Sequence, residues 1–255
     1  MSSPISAQDL WIRAFHPAPQ APHRLVCFPH AGGSASFYFP VSAGLAPEVD
    51  VLAVQYPGRQ DRRAEPGIVD IGVMADRVAE ALLPYAARSP LTFFGHSMGA
   101  CVAFEVARRL ERTGRGPAHI FASGRRAPSS CRDEDVHLRD DDGIIAEMRA
   151  MSGTDARVLG DEELLRMVLP AIRSDYRAVE TYRADPDASV NCPVTALIGD
   201  DDPWTTHDEA RAWEKHTTGP FGLTVFSGGH FYLSSRADEV MAVLKEHFDT
   251  RGATR

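Results

Sequence analysis

The 255-residue sequence predicts an α/β fold, a mostly parallel, doubly wound sheet with a helical insertion late in the chain. Short apolar runs, suited to the strands of a buried parallel sheet, alternate with longer segments whose apolar residues recur at helical spacing. One such run, Leu91-Thr92-Phe93-Phe94, leads straight into Gly95-His96-Ser97-Met98-Gly99 and then into a helix. The residues suited to chemistry fall just after strands, where sheets of this kind place their sites.

Residues 1–23 are polar and dotted with prolines, which disfavour helix and sheet alike; Trp11-Ile12-Arg13-Ala14-Phe15 reads as an edge strand. A buried strand follows at 24–28 and runs into the loop Pro29-His30-Ala31-Gly32-Gly33-Ser34. The next strand, 50–55, precedes Tyr56-Pro57-Gly58-Arg59. A helix over 70–87 gathers Ile71, Met74, Val78, Leu82 and Tyr85 on one face. The strand at 91–94 is expected to end at Phe94, and a helix to start just after Ser97. Ala103, Val106, Ala107 and Leu110 form that helix's buried face, and Gly114 and Gly116 stop it. Further strands are read at 118–122, 194–198 and 223–226. A closing helix at 236–248 carries Val240, Val243, Leu244 and His247 on one side.

About 70 residues separate the strands at 118–122 and 194–198, where a crossover needs only about a dozen or two. The segment is periodic. Ile144, Ile145, Met148 and Met151 suggest one helix, and Leu165, Val168, Leu169, Ile172, Tyr176 and Val179 a second, which Pro170 should kink or divide. The expected organisation is a core in two parts, residues 1–128 and 191–255, with a helical lid inserted at 129–190. A side domain without a gating role is the alternative.

Composition narrows the function. A formal net charge of −8 argues against nucleic acid as a partner. Cys27, Cys101, Cys131 and Cys192 are far apart and form no CxxC pair, which suits a reduced cytoplasmic protein. Cys101, one turn beyond Ser97, reads as a small buried hydrophobe. No signal peptide or membrane span is visible, and no spacing suggests a metal site, a P-loop or GxGxxG. A monomeric, cofactor-free, cytoplasmic protein is the expectation.

Gly95-x-Ser97-x-Gly99 between a strand and a helix reads as the nucleophile elbow of an α/β-hydrolase. The turn strains the serine backbone, lifts its hydroxyl clear of the sheet, and leaves no room for a Cβ at either glycine. A hydroxyl needs a base to take its proton, and the base an orienting acid, in the chain order Ser, acid, His. Ser227-Gly228-Gly229-His230 directly follows the last strand, which selects His230 as base. His207, His216 and His247 fall on predicted helices and are expected to be solvated or half-buried. Asp200, Asp201 and Asp202 follow the strand at 194–198. Gly199-x-x-Asp202-Pro203 is the usual hydrolase arrangement at this turn, which favours Asp202 as the acid. Asp200 or Asp201 remains the lesser alternative, otherwise solvated or capping the turn. The oxyanion hole needs two backbone N–H groups, expected from Met98 and from Ala31. His30 and His96 are read as scaffold.

Phe28-Pro29-His30-Ala31-Gly32-Gly33, Tyr56-Pro57-Gly58-Arg59, the elbow, Ser123-Gly124-Arg125-Arg126-Ala127-Pro128, Ser174-Asp175-Tyr176 with Glu180-Thr181-Tyr182, and Gly228-Gly229-His230-Phe231 together resemble the type II thioesterases. The resemblance spans about residues 24–248 and is particularly close to actinobacterial members, including the one of prodiginine synthesis. It implies a free-standing editing enzyme of polyketide or nonribosomal peptide synthesis. Such an enzyme hydrolyses stalled or aberrant acyl groups from the phosphopantetheine thiol of acyl or peptidyl carrier proteins. Because carriers are generally acidic, like this chain, docking must be local; Arg59, Arg62, Arg63, Arg125 and Arg126 are candidates. Internal salt bridges or a solvated face would explain the same arginines equally well. A carboxylesterase or lipase on small esters is the rival enzyme, and a binding protein that recruits carriers the rival non-enzyme.

Overall fold

The computed structural model describes residues 10–151 and 162–252. The sheet contains β1 (Ile12–Arg13), β2 (His23–Phe28), β3 (Val49–Val54), β4 (Thr92–His96), β5 (His119–Ser123), β6 (Val194–Gly199) and β7 (Phe221–Phe226). Their order across it is β1-β3-β2-β4-β5-β6-β7. Only β1, at the edge, is antiparallel; it spans a shorter stretch than the five residues expected of it. β2 and β3 pair in parallel, and so do all pairs from β2 through β7.

β2, β3, β5 and β6 match the expected strands to within one residue at each end, and two further strand ends, in β4 and β7, differ by two, for one reason: ladder pairing belongs to the backbone. β4 runs past Phe94 to His96, which lies opposite Ser123. β7 begins at Phe221 rather than Leu223, because Gly222 pairs with Thr195 without needing a side chain.

Helices cover both faces. They are α1 (Phe39–Leu45), α2 (Ile71–Ala86), α3 (Met98–Glu111), α4 (Asp141–Met151), α5 (Glu162–Thr181), α6 (His207–Arg211), α7 (Tyr232–Ser235) and α8 (Ala237–Gly252). The Asp70 side chain caps α2 by accepting the Val73 N–H at 2.8 Å. Alternation along β2 sends Val26 and Phe28 into the layer of α2 and α3, and Leu25 and Cys27 into that of α1 and α8. Both layers are apolar, which is why Leu25–Phe28 of β2 and Val51–Val54 of β3 read as unbroken apolar runs rather than alternating ones.

α4 and most of α5 pack apart from the sheet, although Ala178 and Val179 of α5 join the layer of α2 and α3. Ile144 and Met148 of α4 meet Leu165, Leu169, Ile172 and Tyr176 of α5, with Val136, in a small core of their own. α5 does not divide at Pro170: the helix continues through it, and the proline is exposed, so the backbone acceptor it leaves unbonded can turn to solvent. The segment joining α4 to α5 lies outside the described residues.

The strand order reverses between β2 and β4. Chains leaving those strands part toward opposite faces and open a crevice at their carboxyl ends.

Candidate active site

The crevice is bordered on one side by the elbow. Ser97 has φ 53° and ψ −120°, a strained conformation that a non-glycine residue keeps only where its surroundings enforce it. They do so through tight packing. A Cβ on Gly95 would lie 2.7 Å from Ala100 Cα, and one on Gly99 2.7 Å from Pro29 O, both closer than atoms can approach. The Ser97 N–H is held by Ser123 O at 2.8 Å. α3 starts at once, with Met98, so its first N–H groups point back over the crevice.

The loop after β2 forms the other side. Gly33 N–H donates to His30 O at 2.9 Å, closing a turn whose third residue, Gly32, has φ +74°. The Gly32 N–H is already engaged, donating to Asp175 Oδ2 of α5 at 2.8 Å. Neither Ala31 N–H nor Met98 N–H has a protein acceptor among the described residues. Those are the two donors expected from the sequence, and the Gly32 contact explains why its own N–H is not a third.

His230 follows β7 and Asp202 follows β6. Asp202 Oδ2 accepts from His230 Nδ1 at 2.8 Å, and its Oδ1 accepts the Trp204 N–H at 2.9 Å. A carboxylate can only accept, so the proton of this contact sits on Nδ1, and Nε2 is left to act as an acceptor. Asp200, which is exposed, instead ties the two loops together by accepting the Gly228 N–H at 2.9 Å. Asp201 is exposed and does not touch the imidazole. Ser97 and His230 line one cavity of about 320 Å³. Among the described residues Ser97 Oγ has no hydrogen-bond partner, a common state of such sites before substrate arrives.

A second cavity of about 610 Å³ shares His30, Ala31, Tyr176 and Phe231 with the first. The two differ in chemistry. The first is lined by Arg125, Arg132, Glu134 and Glu147 among others. The second is walled by Phe37, Met148, Val168 and Ile172.

His30 and His96 are both buried, with His96 packed between the rings of His30 and His230. Burial, with His230 and Arg59 nearby, lowers the His30 pKa from 6.5 to about 3. Burial likewise holds His96 well below 6.5, so both rings are neutral at pH 7. His96 Nδ1 meets Ser123 Oγ at 2.9 Å, and that hydroxyl meets Tyr232 Oη at 2.6 Å. The expectation for His216 fails: it is buried, between Ser129 Oγ at 2.7 Å and Ala188 O at 2.6 Å. His207 is exposed and His247 half-buried.

Three of the five candidate docking arginines are internal. Arg59 pairs with buried Asp175. Arg62 donates to Glu65 Oε1 at 2.8 Å and lies over the Trp11 ring at 4.3 Å. Arg126 donates to Glu134 Oε1 at 2.9 Å. Only Arg63 is exposed, while Arg125 lines the smaller cavity. Charge alone did not reveal which arginines were paired inside, whether with a partner three residues away, as Arg62, or 116 away, as Arg59.

Sequence reasoning assigned no task to Asp175, although it quoted the motif. The signal was present: residues 172, 175, 176 and 179 share one helix face, and a carboxylate amid an apolar stripe implies a buried partner. Trp204 was also missed; its ring packs edge-on to His230 at 5.5 Å, and its Nε1 reaches Glu147 of α4 at 3.1 Å. Among the described residues, no group of three or more His, Cys, Asp or Glu could hold a metal ion. No described helix is long and apolar enough to cross a membrane.

The comparisons with known proteins agree with this architecture. The family described as Thioesterase domain matches residues 23–248. A "Probable cadicidin biosynthesis thioesterase" of Streptomyces griseus is 59% identical over 242 residues, 93% of this chain and 67% of that one. The solved structure of BorB, the type II thioesterase from the borrelidin biosynthetic cluster, superposes with a TM-score of 0.87. It is 51% identical and covers 97% of this chain and 100% of its own. RedJ, the thioesterase from the prodiginine pathway of Streptomyces coelicolor, superposes at 0.83 with 39% identity, covering 90% and 88%. The chain belongs to the thioesterase domain family.

Proposed function

We propose that this protein is a type II thioesterase. It would hydrolyse stalled or aberrant acyl groups from the phosphopantetheine thiol of acyl or peptidyl carrier proteins in polyketide or related synthesis. The observation that carries the reading is the Asp202–His230 pair facing the same cavity as a strained elbow serine. The similarity to thioesterases of such clusters supplies the substrate class.

The chemistry follows from the side chains. Asp202 holds the His230 Nδ1–H, so Nε2 takes the Ser97 proton as Oγ attacks the thioester carbonyl carbon. The oxyanion that forms is received by the Ala31 and Met98 N–H groups. On collapse the carbon–sulfur bond breaks, and His230 returns the proton to the leaving thiol. Water, deprotonated by the same imidazole, then attacks acyl-Ser97 and releases the acid. The cycle calls for no cofactor beyond the phosphopantetheine on the carrier.

The two cavities divide the substrate. The apolar one, walled by Phe37 and Ile172, takes the acyl chain, and the charged one admits the polar pantetheine arm. α4 and α5 act as the lid over both. The rival reading, an esterase on small esters, shares every catalytic residue, and a rate comparison decides between them. Acyl groups of equal chain length are offered on a carrier protein and as p-nitrophenyl esters. The carrier thioester is expected to show at least about 100-fold higher kcat/KM, because remote contacts to the arm add to transition-state binding. Equal values would favour the esterase.

A further inference from the structure

One buried contact links the inserted helix to the proposed oxyanion hole. Asp175, on α5, is 1% exposed and its charge partner Arg59, in the loop after β3, is 7% exposed. The same carboxylate oxygen accepts the Gly32 N–H at 2.8 Å. Arg59 is anchored in turn by donating from Nη1 to Pro57 O at 2.6 Å. A second tie runs through buried Gln55, whose Oε1 accepts the Ala35 N–H at 2.8 Å and whose Nε2 donates to Arg59 O at 3.3 Å. α5 also presses on the loop from above: a Cβ on Gly32 would lie 2.9 Å from Ile172 Cγ1.

Stability alone does not account for such an arrangement. A buried ion pair is often matched or bettered by apolar side chains of the same volume. Here, however, the carboxylate sits on the loop N–H that directly follows the proposed oxyanion donor, Ala31. Fixing the Gly32 N–H fixes the central peptide of the turn that Gly33 closes on His30. With that turn fixed at both places, the Ala31 N–H has one direction left.

We propose that Asp175 is a positioning residue for the oxyanion hole: by taking the Gly32 N–H it aims the Ala31 N–H at the acyl oxygen, and it can do so only while α5 is docked. This rests on the catalytic reading of Ser97 given above. It makes α5 more than a cover, since displacing the helix would untether the donor loop and disarm the site. Burial raises the Asp175 pKa while Arg59 and the Gly32 N–H oppose that rise, so the ionised acceptor depends on the same contacts.

The test compares two double variants, Arg59→Met with Asp175→Asn and Arg59→Met with Asp175→Leu. Both remove the charge pair and roughly keep its volume; only the asparagine carboxamide can still accept the Gly32 N–H. Steady-state kinetics use a small acyl thioester of N-acetylcysteamine, which avoids carrier docking. The leucine variant should show kcat at least about 30-fold below the asparagine variant, with KM within about threefold, because the contact acts on the transition state. Equal kcat in the two overturns the proposal. If the leucine variant does not melt cooperatively, Asp175→Ser, too short to reach Gly32, replaces it with the same expectation. Fluorophosphonate labelling of the Arg59→Met, Asp175→Asn variant gives an independent reading. A rate within about threefold of wild type is expected. A loss as large as that of the leucine variant would show that charge matters rather than the hydrogen bond, and would also overturn the proposal. A wild type that neither turns over nor labels at Ser97 would defeat the catalytic reading itself, and this proposal with it.

Discussion

Two further imidazoles lie buried beside His230, and their chemistry differs from its. His30 and His96 are kept neutral by desolvation, His30 down to about 3. The His30 value lies below the 6.5 of an unfolded chain, so between about pH 3 and 6.5 the unfolded state holds a proton there that the folded one does not. Stability therefore rises with pH across that window and is lost on acidification, by up to about 1.4 kcal/mol per pH unit for that ring, and the lowered His96 acts in the same direction. Thermal melts of wild type and His30→Gln at pH 7 and pH 5 should show the variant losing less stability on acidification. An identical loss in both would mean that His30 is not held neutral by the fold. Neither ring could be distinguished from a catalytic histidine by composition; their positions before the last strand set them apart, and that much was legible in the sequence.

At the scale of elements, the elbow is a packing solution between β4, α3 and the loop after β2. Gly99 is where the first turn of α3 passes against the Phe28 and Pro29 carbonyls. Gly99→Ala has no side-chain rotamer to relieve this clash, because the atoms it meets are backbone. It should destabilise the fold by about 3 kcal/mol or more, measured by denaturant unfolding. A loss under about 1 kcal/mol would mean that α3 can shift away freely. Strand and helix positions were legible because buried parallel strands and amphipathic helices each leave a period in the sequence. Contacts between elements were not. Asp175 lies 143 residues from Gly32 and 116 from Arg59, and no local pattern encodes those pairings. Of the two readings left open for the arginines, docking or internal pairing, Arg59, Arg62 and Arg126 take the second, each held by an acidic partner.

For the whole molecule, the strand order does the organising. The reversal between β2 and β4 brings the loop after β2 beside the elbow, and β6 and β7 supply Asp202 and His230 at the same rim. α4 and most of α5 share a separate small core, while Ala178 and Val179 near the end of α5 pack into the layer of α2 and α3. Their contacts to the core run through polar links as well, Trp204 to Glu147 and Arg59 to Asp175. The central claim is that Ser97 is the atom-transfer point for an acyl group arriving on a carrier. Intact-mass spectrometry of an acyl-loaded carrier protein, incubated with wild type and with Ser97→Ala, tests it most directly. Wild type should return the carrier to its free-thiol mass within minutes, while Ser97→Ala leaves the acyl mass in place, at least about 1,000-fold slower. Release at the wild-type rate by a folded Ser97→Ala protein would contradict the account.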